Sequence, residues 1–170
     1  MKPTLYLMVG YPGAGKTTTA NVVSELTGAE HLSSDQARVE LFSKPTFSEA
    51  EHAELYDYLD KRTEELLTEG KSVIYDANLN RYQHRQDKYD ICQRTGATAV
   101  LLWVQTDKSL AKQRATHEDR AHLIPQHETA HDMFDRIAGV IEPPHANEQP
   151  IIIDGTKVSS EFVADALGLT

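Results

Sequence analysis

Short unbroken apolar runs alternate along the chain with longer stretches in which apolar residues recur every three or four positions. The runs TLYLMV (4–9), SVIY (72–75), TAVLLWV (98–104) and IIID (151–154), with the weaker EHLSS (30–34), predict five strands. Their continuous apolar character suits strands covered on both faces, as in a parallel sheet. The segments between them predict helices ending at Gly28, Gly70 and Gly96, since glycine tolerates the left-handed turn that closes a helix. The longest, over 48–69, opens with the capping pattern Ser48-x-x-Glu51. Its apolar stripe reads Ala53, Tyr56, Leu59, Leu66. Further helices are expected over 36–42 and 126–140, and a last one over 160–167. EPPHANEQP (142–150) reads as a loop, too short for a domain linker, and there are no repeats. Strand and helix alternation of this kind describes a three-layer α/β/α sandwich.

Composition narrows the picture. A chain of 170 residues holds one layered core. A formal charge of −9 argues against a broad nucleic-acid-binding face, which is usually basic, although a local basic groove is compatible with it. The single cysteine, Cys92, excludes a disulfide framework. It lies near Tyr89 and Ile91 in a helical pattern, so a buried thiol is expected there and not a nucleophile. Met1–Val9 is too short for a signal peptide, and no apolar run approaches membrane-spanning length. A cytoplasmic, reducing setting without membrane association is the resulting expectation.

The chemistry begins at GYPGAGKTTT (10–19), directly after the first strand. Gly10, Gly15, Lys16 and Thr17 have the spacing G-x-x-x-x-G-K-T. In that frame backbone N–H groups point at a triphosphate, the lysine reaches the outer phosphates and the threonine hydroxyl ligates Mg²⁺. Pro12, Gly13, Ala14 and Thr18 complete the expected ATP-binding set, and the following helix turns its positive end to the phosphates. A guanine-nucleotide switch would need N-K-x-D, which TDKS (106–109) does not supply. Asp35 ends the second strand, where ligands gather in a parallel sheet. A carboxylate there can take the proton of an acceptor hydroxyl, or can merely cap the next helix. Asp76 ends the third strand as a magnesium carboxylate or a substrate ligand, with Asn78 and Asn80 beside it. KSLAKQRATHEDRAHLIPQH (108–127) carries Lys112, Arg114 and Arg120. It suits either a phosphoryl-transfer lid over about 112–126 or a solvated charged helix.

Taken together, GYPGAGKTT, SSDQAR, YDANLNR and the R…R…IP segment resemble the polynucleotide 5′-hydroxyl kinases of tailed bacteriophages and their bacterial relatives. These belong to the P-loop kinase superfamily, with zeta-toxin-like and gluconate kinases more distant. The resemblance runs from Pro3 to Pro125 and implies one kinase domain over 1–170, with a parallel sheet ordered 2-3-1-4-5. It implies that Asp35 is the general base and that Arg38 contacts substrate and steadies the transferred phosphate. Asp76, with Asn78 nearby, would hold substrate and keep Arg38 in register. Lys16 and a lid arginine, Arg120 or its rival Arg114, would neutralise the γ-phosphate. The implied reaction is Mg²⁺-dependent transfer from ATP to a hydroxyl, with a single-stranded nucleic-acid 5′ end as leading acceptor. A nucleoside, sugar or antibiotic hydroxyl is the alternative, and a regulator that hydrolyses ATP slowly is a third reading.

Two further patterns bear on the acceptor. Arg81 and Arg85 stand one helical turn apart, followed by Lys88. The pair fits either a phosphate backbone or a solvated face offset by Asp87 and Asp90. HETAH (127–131) matches the zinc-peptidase string H-E-x-x-H. In a chain with eight histidines a five-residue match arises easily, and a solvated helix face is expected.

Overall fold

A computed structural model of the chain describes residues 1–117 and 124–170. Its strands are β1 (Thr4–Val9), β2 (Glu30–Ser33), β3 (Val73–Asp76), β4 (Thr98–Gln105) and β5 (Ile151–Asp154). They pair in parallel in the order β2-β3-β1-β4-β5, as the resemblance implied. Among the described residues seven α-helices surround the sheet: α1 (Lys16–Thr27), α2 (Ser34–Leu41), α3 (Glu49–Thr68), α4 (Tyr82–Thr95), α5 (Lys108–Ala115), α6 (Ala130–Ala138) and α7 (Ser160–Ala166).

Alternate residues of the strands feed two separate cores. Leu5, Leu7 and Val9 of β1 pack with Tyr75 against Leu55, Leu59 and Leu66 of α3 and Ile91 and Cys92 of α4. Met8, Ile74, Leu102 and Ile153 face the other way, onto Ala20 and Val23 of α1 and Val163 of α7. Burial on both faces explains the unbroken apolar runs. The register sets Ser33 beside Asp76 and Leu7 beside Tyr75, so the carboxyl ends of β2 and β3 open onto one crevice next to the loop after β1.

Several local expectations shift. The buried stripe of α3 is Leu55, Leu59, Thr63 and Leu66; Tyr56 is only half-buried and Ala53 is exposed. The helix expected over 126–140 starts instead at Ala130, because the Thr129 side chain accepts from the Asp132 amide and fixes the cap there. The helix expected at Gln36 starts at Ser34, capped by Ser33, which accepts from the Gln36 amide. Among the described residues no helix is long and apolar enough to cross a membrane.

Candidate active site

The glycine-rich loop between β1 and α1 is held from both sides. Gly13 (φ 79°) and Gly15 (φ 112°) occupy left-handed backbone that suits glycine. A Cβ on Gly13 would strike the Ala111 carbonyl of α5. Across the loop, the Thr106 hydroxyl donates to the Ala14 carbonyl at 2.7 Å. Gly155, after β5, approaches that same carbonyl so closely that it has no room for a Cβ. The Lys16 ammonium folds inward, donating to the carbonyls of Gly10 (2.6 Å) and Tyr11 (3.1 Å). Arg114 of α5 reaches the Gly155 carbonyl at 3.3 Å, so its guanidinium stands at the wall of the loop. Arg120, the other arginine that the resemblance implied for a lid, lies outside the described residues.

The Thr17 hydroxyl donates to Asp76 Oδ2 at 2.9 Å. His31 Nε2 lies 2.9 Å from the same oxygen. Asp76 is 6 % exposed, so a hydroxyl and a nearly buried carboxylate, both hard oxygen donors, face one point of the crevice. That donor set fits Mg²⁺.

Two cavities meet here. The first, of about 410 Å³, is lined by the loop with Lys16, Thr17, Asp76, Arg114 and Thr156. The second, of about 480 Å³, lies between α2, α3, the start of α4 and α6 with the segment before it. Ser34, Asp35, Asn78, Met133 and Ile137 line both. Asp35, in the exposed first turn of α2, therefore stands at their junction, with the capping role taken by Ser33.

Arg38 lines the second cavity but does not meet Asp76 as the resemblance implied. Its guanidinium pairs with Glu51, approaches His52 Nδ1 at 3.4 Å and lies 4.7 Å over the Phe47 ring. The cause is local. Glu51 is buried and accepts from the amides of Thr46 and Phe47, both at 2.8 Å, so its charge is fixed where Arg38 can reach it. Burial would raise the Glu51 carboxyl, but the two amides and Arg38 outweigh it and hold the group below its ordinary value. Asp76 is meanwhile engaged by Thr17 and His31.

The remaining wall carries groups that the motifs did not reveal. Burial pushes the Tyr56 hydroxyl up to about 12, beside Ser34, Asn78 and Asp35. His52 is held below the ordinary imidazole value by burial first, then by Arg38, His84 and Arg136. His84 is held down by burial first, then by Lys88 and Arg81. Tyr56 and His52 belong to α3, where the helical pattern marks a face and not a role. Thr106 and Gly155 follow strand ends and His31 lies within β2, and their proximity to the site appears only once the sheet is ordered.

The basic pair is split by burial. Arg81 is exposed, but Arg85 is 0 % exposed and donates to both Glu148 oxygens (2.7 and 3.2 Å) and to the Leu79 carbonyl. Lys88, also buried, pairs with Asp60 at 2.8 Å over the Tyr75 ring. Neither can track a phosphate backbone, because each charge neutralises an acidic partner inside the fold. HETAH is likewise divided. His127 precedes α6, so it does not stand one helical turn from His131. Glu128 accepts from Arg136 at 2.8 and 2.9 Å. Among the described residues no three His, Cys, Asp or Glu side chains are grouped to hold a metal ion.

Comparison with known proteins agrees with this fold. A family model described as AAA domain matches residues 5–144. A search of curated proteins gives no match. Among solved structures, a sugar kinase from a Janibacter species superposes with a TM-score of 0.68 at 17 % identity, covering 99 % of this chain and 94 % of that one. The APS kinase of Mycobacterium tuberculosis, solved with AMPPNP and APS, gives 0.69 at 19 % identity, covering 99 % and 97 %. The Pnkp1/Rnl/Hen1 RNA repair complex gives 0.65 at 18 % identity, covering 81 % of this chain and 44 % of that one. The family match spans most of the sequence, and the chain therefore belongs to the AAA domain family, with the fold of a P-loop kinase.

Proposed function

We propose that this chain transfers the γ-phosphate of ATP to the hydroxyl of a small molecule. The observation that carries the reading is Asp35 at the junction of two cavities, one lined by the nucleotide loop and the other by α2, α3 and α4. ATP occupies the first with its phosphates along the loop amides. Thr17 and Asp76 would hold Mg²⁺, which would supply charge neutralisation at the outer phosphates. Lys16 exchanges its carbonyl partners for phosphate oxygens, and Arg114 faces the same charge from α5. The acceptor lies in the second cavity with its hydroxyl beside Asp35. That oxygen forms a bond to the γ-phosphorus as the bond to the β,γ-bridging oxygen breaks. Asp35 takes the hydroxyl proton, and ADP departs. Arg38, anchored by Glu51, borders the acceptor side. A small acceptor is favoured over a nucleic-acid strand because Arg85 and Lys88 are committed to buried ion pairs and Arg38 and Arg136 to acidic partners, so that among the described residues Arg81 is the one arginine of the cavity left to meet a phosphate.

Asp35→Asn tests the assignment. Acceptor-dependent ADP formation should fall by about 10²–10⁴ with ATP affinity retained. Loss of ATP or Mg²⁺ binding in that variant would make Asp35 a metal ligand. ADP release that ignores every added hydroxyl compound would instead support a regulatory ATPase.

A further inference from the structure

The acceptor cavity is electrically lopsided in a chain of net charge −9. Two of its three arginines are compensated, Arg38 by Glu51 and Arg136 by Glu128. Arg81 is not. It is exposed, and among the described residues its guanidinium makes no hydrogen bond or ion pair. It occupies the N-cap of the 14-residue α4, whose start has no side-chain cap and no acidic residue in its first turn. His84, in that same turn, and His52 of α3 line the cavity beside it. Arg81, His52 and His84 line the acceptor cavity and not the nucleotide cleft. Asn80 adds an independent sign of a ligand. It is 6 % exposed, lines the cavity, and its Oδ1 finds no donor among the described residues.

We infer that the acceptor is an anionic alcohol, a small hydroxyl compound bearing one phosphate or carboxylate that Arg81 and the first turn of α4 hold while its hydroxyl reaches Asp35. This rests on the transfer reading above. The physical case is that an uncompensated guanidinium and a helix start present charge and donors together, as anion sites require. Both histidines are exposed at the cavity wall and are held below the ordinary imidazole value by partial desolvation first. Nearby cations come next, Arg38 for His52 and Lys88 and Arg81 for His84, so a bound anion would relieve the crowding of positive charge around them. Asn80 Oδ1 is covered in this structure, so a turn of its amide toward the cavity would let it accept from a second hydroxyl of the ligand. Asp35, at the far junction, repels the anionic end and so orients the alcohol toward the phosphoryl group.

The test uses matched pairs: glycerol with glycerol 3-phosphate, glucose with gluconate, and adenosine with adenosine 3′-monophosphate. Each is titrated by calorimetry into the protein loaded with AMPPNP and Mg²⁺, and each is offered as an acceptor with ATP. In at least one pair the anionic member should bind about ten- to a hundredfold tighter than its neutral partner. Arg81→Gln should bring that ratio close to one, with ATP affinity and melting midpoint unchanged, and Arg81→Lys should restore part of it. Whichever pair responds separates a phosphate from a carboxylate ligand. Equal or absent binding of both members in all three pairs, or a preference that survives Arg81→Gln, overturns the inference. Anion-selective binding without phosphoryl transfer would leave it standing and overturn the kinase reading instead.

Discussion

Lys16 shows how much a single side chain prepares before any ligand arrives. Its ammonium is already turned into the loop, on the carbonyls of Gly10 and Tyr11, so under the proposed function phosphate binding would exchange partners and recruit no distant charge. Lys16→Ala should therefore leave the melting midpoint near wild type and reduce turnover about a hundredfold or more. Wild-type turnover in that variant would remove the nucleotide loop from the mechanism. Cys92 is the opposite kind of residue. Burial alone pushes its thiol up to about 11. At pH 8 only roughly one thiol in a thousand is then ionised, and the sulfur is covered as well. Disulfide-exchange reagents should modify it only after denaturant is added; prompt reaction in the native protein would contradict the packing of α4.

Between elements, the decisive contacts are those that cross from one segment to a distant one. Arg85 of α4 meets Glu148 in the loop before β5, with the Tyr89 hydroxyl on the same carboxylate at 2.7 Å. Their side chains are 0 % and 1 % exposed. Arg85→Ala leaves a buried carboxylate unpaired and should cost about 3–5 kcal/mol of stability. The sign of the pH effect follows from Glu148. Burial would raise its carboxyl, but Arg85, the His145 amide and Tyr89 together lower it below the ordinary value. A carboxyl depressed by folding contributes stability at neutral pH, and that contribution is lost as pH falls through the folded value. The wild-type melting midpoint should drop on acidification below the usual carboxylate range, and less of that drop should remain in a chain carrying Arg85→Met with Glu148→Leu. Gly155 makes a second such contact, against the Ala14 carbonyl of the nucleotide loop. Gly155→Ala must displace that loop, so ATP affinity should fall in a variant that still folds; unchanged affinity would show that the loop yields without loss.

For the molecule as a whole, the question under the proposed function is which acceptor a chain of net charge −9 would admit. A strand-binding enzyme neutralises several phosphates and loses affinity steeply with salt. A small acceptor held chiefly by Arg81 engages one charged group and responds weakly. A short 5′-hydroxyl oligonucleotide should therefore be no better an acceptor than the matching mononucleotide, and its kcat/KM should change little between low and moderate salt. A steep salt dependence, with a preference for the longer strand, would return the polynucleotide end as the acceptor.

Sequence by itself determined the layered α/β architecture, the glycine-rich loop and the place of Asp76 at the end of β3, because each depends on short-range pattern; Asp35, expected at the end of the second strand, falls instead in the first turn of α2. Unbroken apolar runs mark doubly covered strands, and loop glycines mark backbone that only glycine adopts easily. What Arg38, Arg85 and Lys88 do was decided by tertiary structure. All three are basic residues at helical spacing, and nothing in that spacing distinguishes a ligand contact from an internal ion pair. Glu51, Glu148 and Asp60, drawn from other segments, neutralise them, and among the described residues Arg81 meets no such partner. The same holds for HETAH, whose histidines would face one another only on a continuous helix, and Thr129 caps that helix after His127. Charge pairing and capping depend on which segments the sheet order brings together, so the acceptor side of this site exists only in three dimensions.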